Sequence, residues 1–124
     1  MDKKIKETNT KVVHVRDGFD VYIGRPNKSF PPPIFGDWEH HFGNPFIIRR
    51  DGSRKTVIKK YELWLRGKEY QVVEPYRREW ILNNIPKLRG KRLGCFCSPQ
   101  SCHGDVLVKL VNLSKITGFP SNRS

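Results

Sequence analysis

The stretch "GCFCSPQSCHGD", residues 94–105, gathers all three cysteines of the chain and one of its four histidines within ten positions. Cys95, Cys97, Cys102 and His103 are the side-chain types that ligate zinc, and four of them would close a tetrahedron. Structural zinc sites draw on two separated ligand pairs, whereas here all four donors lie within nine residues and Cys102 adjoins His103. Three protein ligands with an open position are easier to build from so short a piece.

The same residues can carry covalent chemistry. Cys102 stands just before an expected helix, where the dipole and free N–H groups favour a thiolate. His103 titrates near neutrality and can shuttle protons. Asp105, in the first helical turn, can orient His103 or act as a base. Gly104 allows a backbone or a ligand to approach closely. A helix start also suits a phosphate without any covalent step. The bland alternative is packing: free cysteine is among the most buried residue types, and His103 and Asp105 can serve as helix caps. All three readings stand at the level of spacing.

These residues need a scaffold. The chain has 124 residues, one domain's worth, with 36% hydrophobic and 29% charged residues. Residues 1–10 read as a flexible basic tail, 11–116 as a single domain and 117–124 as a loose tail. No apolar run reaches the length of a membrane span, and "MDKKIKETNTK" lacks the apolar stretch of a secretory signal. A cytoplasmic protein with no membrane partner is the default expectation. The formal charge of +12 attracts polyanions. Half of the 24 Lys and Arg fall in two stretches, Arg49 to Lys60 and Arg77 to Arg92. They are either solvated helix faces or a groove for phosphates, and a nucleotide or nucleic-acid partner is the expectation.

"KVVHV" at 11–15 and "VYI" at 21–23 read as strands, and the short Asp17-Gly18 turn between them predicts antiparallel neighbours. Residues 24–45 hold five prolines and no periodicity. They form a long loop whose aromatic residues predict that it packs on the body and covers something. "FII" at 46–48 reads as a short strand. Ser53 is a candidate N-cap for a helix with Val57, Tyr61, Trp64 and Leu65 inward, stopped by Gly67. A second helix opens at Pro75 and breaks near Pro86, with Trp80, Ile81 and Ile85 as its stripe. "RGKRLGCFC" predicts a strand, on which Cys95 and Cys97 would share a face. "GDVLVKLVNLSKI" predicts a last helix with Val106, Leu107, Leu110 and Val111 inward. The fold class is α/β: a small Rossmann-like layer fold, a short sheet with about three helices. In such folds ligands sit where a strand's carboxyl end meets the next helix, which is where the cysteines lie.

"VYIGRPNKSF", "FGNPFII" and "LGCFCSPQSCHGDVL" together resemble domain-of-unknown-function family 4326, found in bacteria and phages. Its pattern corresponds here to Tyr22-Ile23-Gly24-Arg25, Asn44-Pro45-Phe46, Trp64-Leu65 and the run from Leu88 to Leu107, within residues 12–113. The segment between Arg25 and Asn44 is longer here than in that pattern. The "P-x-x-C-H" ending is also similar to a second uncharacterised small α/β family, in which an arginine stands where Gly104 stands here. The resemblance implies one compact domain and points to Arg25, Asn44, Cys95, Cys97, Cys102, His103 and Asp105. It implies no reaction.

The expectation is a domain that binds a phosphate-bearing ligand between the loop 24–46 and the junction 95–105. Arg25, Asn44 and Gly104 would position the ligand. Cys102, His103 and Asp105 would act as nucleophile, proton carrier and orienting group if the site is catalytic. Two alternatives belong to other classes. One is a non-enzymatic zinc-bearing nucleic-acid module, with Cys95, Cys97, Cys102 and His103 as ligands. The other is an interaction protein that uses the aromatic loop as its contact.

Overall fold

The computed structural model describes residues 9–117. Three helices and a three-stranded parallel sheet make a small α/β domain. Three strands are too few to show a doubly wound order. The readings of residues 1–8 and 118–124 as tails lie outside the described residues. Thr10, at the end of the stretch read as a tail, is buried: its hydroxyl donates to Leu88 O (3.3 Å) and accepts from Gly90 N–H (2.8 Å).

Strands β1 (Lys11–His14) and β2 (Val21–Tyr22) both pair in parallel with β3 (Arg92–Cys95), which lies between them. The antiparallel hairpin is therefore wrong. Residues 15–17 form a 3-10 turn, and the chain crosses β3 to reach its other side. Parallel strands ordinarily need a connection of about a dozen residues or more. This one is shorter for two reasons. Val21 pairs with Leu93 and His14 with Cys95, so the chain retreats by only two strand residues. Gly94 has no side chain where the crossing passes: a Cβ there would lie 2.6 Å from the Phe19 ring. The face at Gly94 and Tyr22 then collects an aromatic cluster of Phe19, Tyr22, Phe30 and Phe96, with Tyr22 and Phe30 stacked at 5.0 Å.

Helix α1 (Arg54–Leu65) begins where Ser53 Oγ accepts from Thr56 N–H (3.2 Å), and buries Val57, Tyr61, Trp64 and Leu65 as the spacing predicts. Helix α2 (Pro75–Asn84) runs into a 3-10 turn over Ile85–Leu88; Ile81 and Ile85 are fully buried and Trp80 partly. Helix α3 (His103–Thr117) buries Val106, Leu107, Leu110 and Val111. Its start sits on the sheet because residue 104 is glycine: a Cβ there would come within 2.8 Å of Ile23 Cδ1 and Val12 Cγ2. The segment 46–48 is not a strand, since residues 47–51 fold into a turn closed by Asp51. No helix among the described residues is long and apolar enough to cross a membrane.

The long loop is held down by an arginine that the sequence reading counted with the basic faces. Arg77 is only 5% exposed. It donates to His41 O (2.8 Å) and Gly43 O (2.7 Å), pairs with Glu74 (2.6 Å) and stacks over Trp64. Arg78 is also engaged, donating to the last carbonyls of α1 at Trp64 and Leu65. The basic stretch from Arg77 is thus partly interior scaffolding.

Candidate functional site

A cleft of about 250 Å³ opens at the carboxyl ends of β2 and β3, between the starts of α1 and α3. Its lining includes Arg25, Asn44, Cys95, Cys97, Cys102 and His103, brought from four separate chain segments. The parallel sheet explains this placement. Strands that run the same way end on one edge, and the loops that leave them converge there.

β3 stops at Cys95, so the strand alternation that would pair Cys95 with Cys97 stops too. Cys95 and Cys102 are buried with their sulfurs 3.2 Å apart, and Cys97 is half-buried on the cleft wall. Cys102 caps α3: its Sγ accepts from Gly104 N–H at 3.3 Å. The S–H of Cys102, helped by the N–H groups of Ser98 and Cys97, draws the Cys95 thiol below the ordinary range. Donating to Cys95 and lying buried, Cys102 itself is pushed up. Of the two, Cys95 is the thiol favoured to ionise, the reverse of what the helix-start argument predicts.

His103 Nε2 lies 2.7 Å from Ile23 O. A carbonyl oxygen only accepts, so Nε2 carries the proton and the neutral ring keeps its lone pair on Nδ1. The ring packs edge-on against Tyr61 (5.1 Å). Burial, opposed by the Ile23 carbonyl and reinforced by Arg25 and Arg77, pulls its pKa down to about 4. His103 is thus a neutral imidazole at pH 7.

Several expected roles move. Asp105 does not orient His103; its carboxylate accepts from Cys102 N–H (3.2 Å) while its own N–H donates to Cys102 O (3.0 Å). The carboxylate reaching back to the N-cap N–H is one half of a capping box; the N-cap side chain accepts from Gly104 rather than from Asp105. Gly104 is buried and serves packing. Its N–H is engaged by Cys102 Sγ, so it does not line the cleft. Asn44 is buried, accepting from Phe46 N–H (2.9 Å) and donating to Val57 O (3.0 Å); it fixes the cleft wall. Arg25 Nη2 donates to Asn44 O (2.7 Å) and Phe46 O (3.2 Å), and the residue also lines the cleft. The four-ligand metal reading is not assembled. No group of three or more Cys, His, Asp or Glu is arranged for a metal among the described residues. Two sulfurs meet, and neither Cys97 nor His103 joins them in a ligand group. His40 and His41 stay in the loop, with His40 bonded to Asp37 at 2.7 Å.

Lining residues outside the expected site include Tyr22, Arg54 and Phe96. Arg54 is the first residue of α1 and donates to Ser101 O (3.2 Å), tying that helix start to the loop before α3. Phe96 is about half exposed at the rim, and lies edge-on to Tyr22 at 6.2 Å.

A family model described as "Domain of unknown function (DUF4326)" matches residues 5–113. The chain belongs to this DUF4326 family. All the cleft residues lie within the matched segment. A phage relative agrees: the "Uncharacterized 12.4 kDa protein in nrdA-td intergenic region" of Enterobacteria phage T4 is 32% identical over 73 residues. That alignment covers 57% of this DUF4326 chain and 60% of the relative, so the chain spans less than two thirds of that protein. No solved structure matches.

Proposed function

We propose that the cleft binds a phosphate-bearing ligand of mononucleotide size, free or at the end of a nucleic acid. One observation carries the reading. Two helix starts and two arginines, Arg25 and Arg54, meet around one cavity at the carboxyl end of a parallel sheet. Helix starts and guanidinium groups both favour anions. The cavity lies near the small end of ligand pockets, which run from about 300 to 1,000 Å³.

Each group has a role in this reading. Arg54 and the free side of Arg25 meet the phosphate. Because Gly104 N–H is already engaged, α3 contributes its dipole rather than a row of open donors. The exposed Phe96 ring, with Tyr22, offers a face for a base to stack on. His103 Nδ1 is a neutral acceptor at the floor. Asn44, Gly104 and Asp105 hold the walls and the cap.

The test is equilibrium dialysis of nucleoside monophosphates, triphosphates and inorganic phosphate with the intact protein. Binding is expected to weaken about tenfold in Arg54→Ala, the loss of one charge-assisted contact. It is also expected to weaken in His103→Ala and Phe96→Ala. No binding to any of these ligands, or equal binding by all three variants, defeats the reading.

A further inference from the structure

The sulfurs of Cys95 and Cys102 touch but are not bonded. One cysteine ends β3 and the other caps α3, and the loop 96–101 returns the chain between them. Their separation of 3.2 Å stands about 1.2 Å from the usual S–S bond of about 2.05 Å. Both line the inner end of the cleft, where only 2% of Cys95 and 3% of Cys102 is accessible, so a reagent meets them through the cleft and at its floor. The pair packs at the edge of the core, and unlike a purely apolar contact it receives a backbone N–H, that of Gly104 on Cys102 Sγ, beside the cleft.

We propose that Cys95 and Cys102 form a dithiol redox site that exchanges with low-molecular-weight disulfides of the glutathione class. Cys95 Sγ, as thiolate, attacks one sulfur of the incoming disulfide RSSR. The RS–SR bond breaks, a Cys95–SR bond forms, and RS⁻ leaves to take up the proton that Cys95 gave to solvent. Cys102 then loses its proton and attacks Cys95 Sγ. The Cys95–Cys102 bond forms, and the second RS⁻ leaves and takes up that proton. The protein loses two hydrogens, and RSSR becomes two RSH. Excess RSH runs the same steps in reverse. The activity requires no phosphate ligand, so it stands or falls apart from the binding role.

Cys97 makes the test selective, because it lines the same cleft but belongs to no pair. Full-length reduced protein is equilibrated in glutathione buffers from reducing to oxidising, acid-quenched, alkylated and mapped by mass spectrometry. Two of the three thiols are expected to disappear together, with Cys95 linked to Cys102 and Cys97 still alkylated. Cys97→Ser should behave identically. Cys102→Ser, checked for fold by circular dichroism, should stop at a Cys95–glutathione adduct. Three alkylated thiols across the whole range overturn the proposal. So does a linkage that includes Cys97, or a glutathione adduct confined to Cys97. The wild-type and Cys97→Ser arms decide it even where Cys102→Ser does not fold.

Discussion

Two polar clusters are buried in this molecule, the cysteine cleft and the clamp beneath the long loop, and they differ in how completely their atoms are partnered. In the clamp, Arg77 satisfies the carbonyls of His41 and Gly43, Tyr61 donates to Phe42 O (2.6 Å), and His41 Nδ1 accepts from Gly43 N–H (3.1 Å). The three loop carbonyls and the Gly43 N–H are all satisfied within the protein, so the cluster reads as structure. In the cleft, two thiols share one contact, His103 has a lone pair to spare, and Arg54 and Arg25 line the cavity. Burial costs a polar group about 1–3 kcal/mol when it goes unpaired. Left-over capacity beside an opening is therefore a better mark of function than the density of polar residues.

The largest effect should come from breaking the clamp. Arg77→Met keeps length and removes the charged donors, leaving two buried carbonyls unpartnered. Stability should fall by about 3 kcal/mol, read from urea denaturation midpoints. A loss below about 0.5 kcal/mol would show the clamp to be ornamental.

Acid should sharpen the comparison next, because each cluster holds one depressed histidine. Burial, with the nearby Arg77 charge, lowers His41 to about 4, and His103 stands at the same value. Unfolded, both titrate near about 6.5. Between about pH 6.5 and 4 the unfolded chain binds protons that the folded chain refuses. Stability is therefore complete above that window and falls as pH drops through it, on the order of 2 kcal/mol per imidazole. His41→Gln and His103→Gln should each flatten the slope of urea midpoint against pH. An unchanged slope in both means that carboxylates dominate the acid limb.

Much of this was legible in the chain, and what was not has identifiable causes. Local chemistry reported itself: Ser53, Gly67 and Pro75 bound their helices, and the crowding of Cys, His, Gly and Asp marked the strand-to-helix junction. Direction and partnership did not. Asp17-Gly18 looks like a hairpin turn, and only the later arrival of β3, with Gly94 opposite Phe19, makes β1 and β2 parallel. Composition cannot say which arginines are interior, so Arg77 was counted with the basic faces although its partners lie 34 and 36 residues away. Asp105 was assigned to its neighbour His103, while the backbone geometry of a helix start gave it to Cys102 N–H.

Gly104→Ala should have an intermediate effect, and one confined to the cleft. The added methyl meets Ile23 and Val12 across the α3–sheet contact, and overpacking of this kind costs about 1–3 kcal/mol. The start of α3 must lift, which carries Cys102 away from Cys95. Faster alkylation of Cys102 in native buffer should accompany the lower urea midpoint.

The smallest effect belongs to the tip of the long loop, and it separates that loop's two parts. Phe35 is 98% exposed, and no side chain would meet a methyl at the neighbouring Gly36. By contrast His40 stacks on Trp80 at 5.6 Å and Phe42 is buried. The reading that the loop packs on the body holds at both ends, through Phe30 in the aromatic cluster and from His40 onward, while the tip at Phe35 projects into solvent. Phe35→Ser removes no buried area, so the urea midpoint should stay within about 0.5 kcal/mol of wild type. Phe42→Ala, only seven positions on, empties a core site and should cost about 3 kcal/mol or more. If Phe35→Ser destabilises as much as Phe42→Ala, the tip is folded onto the body, and the division between fastened ends and a projecting tip fails.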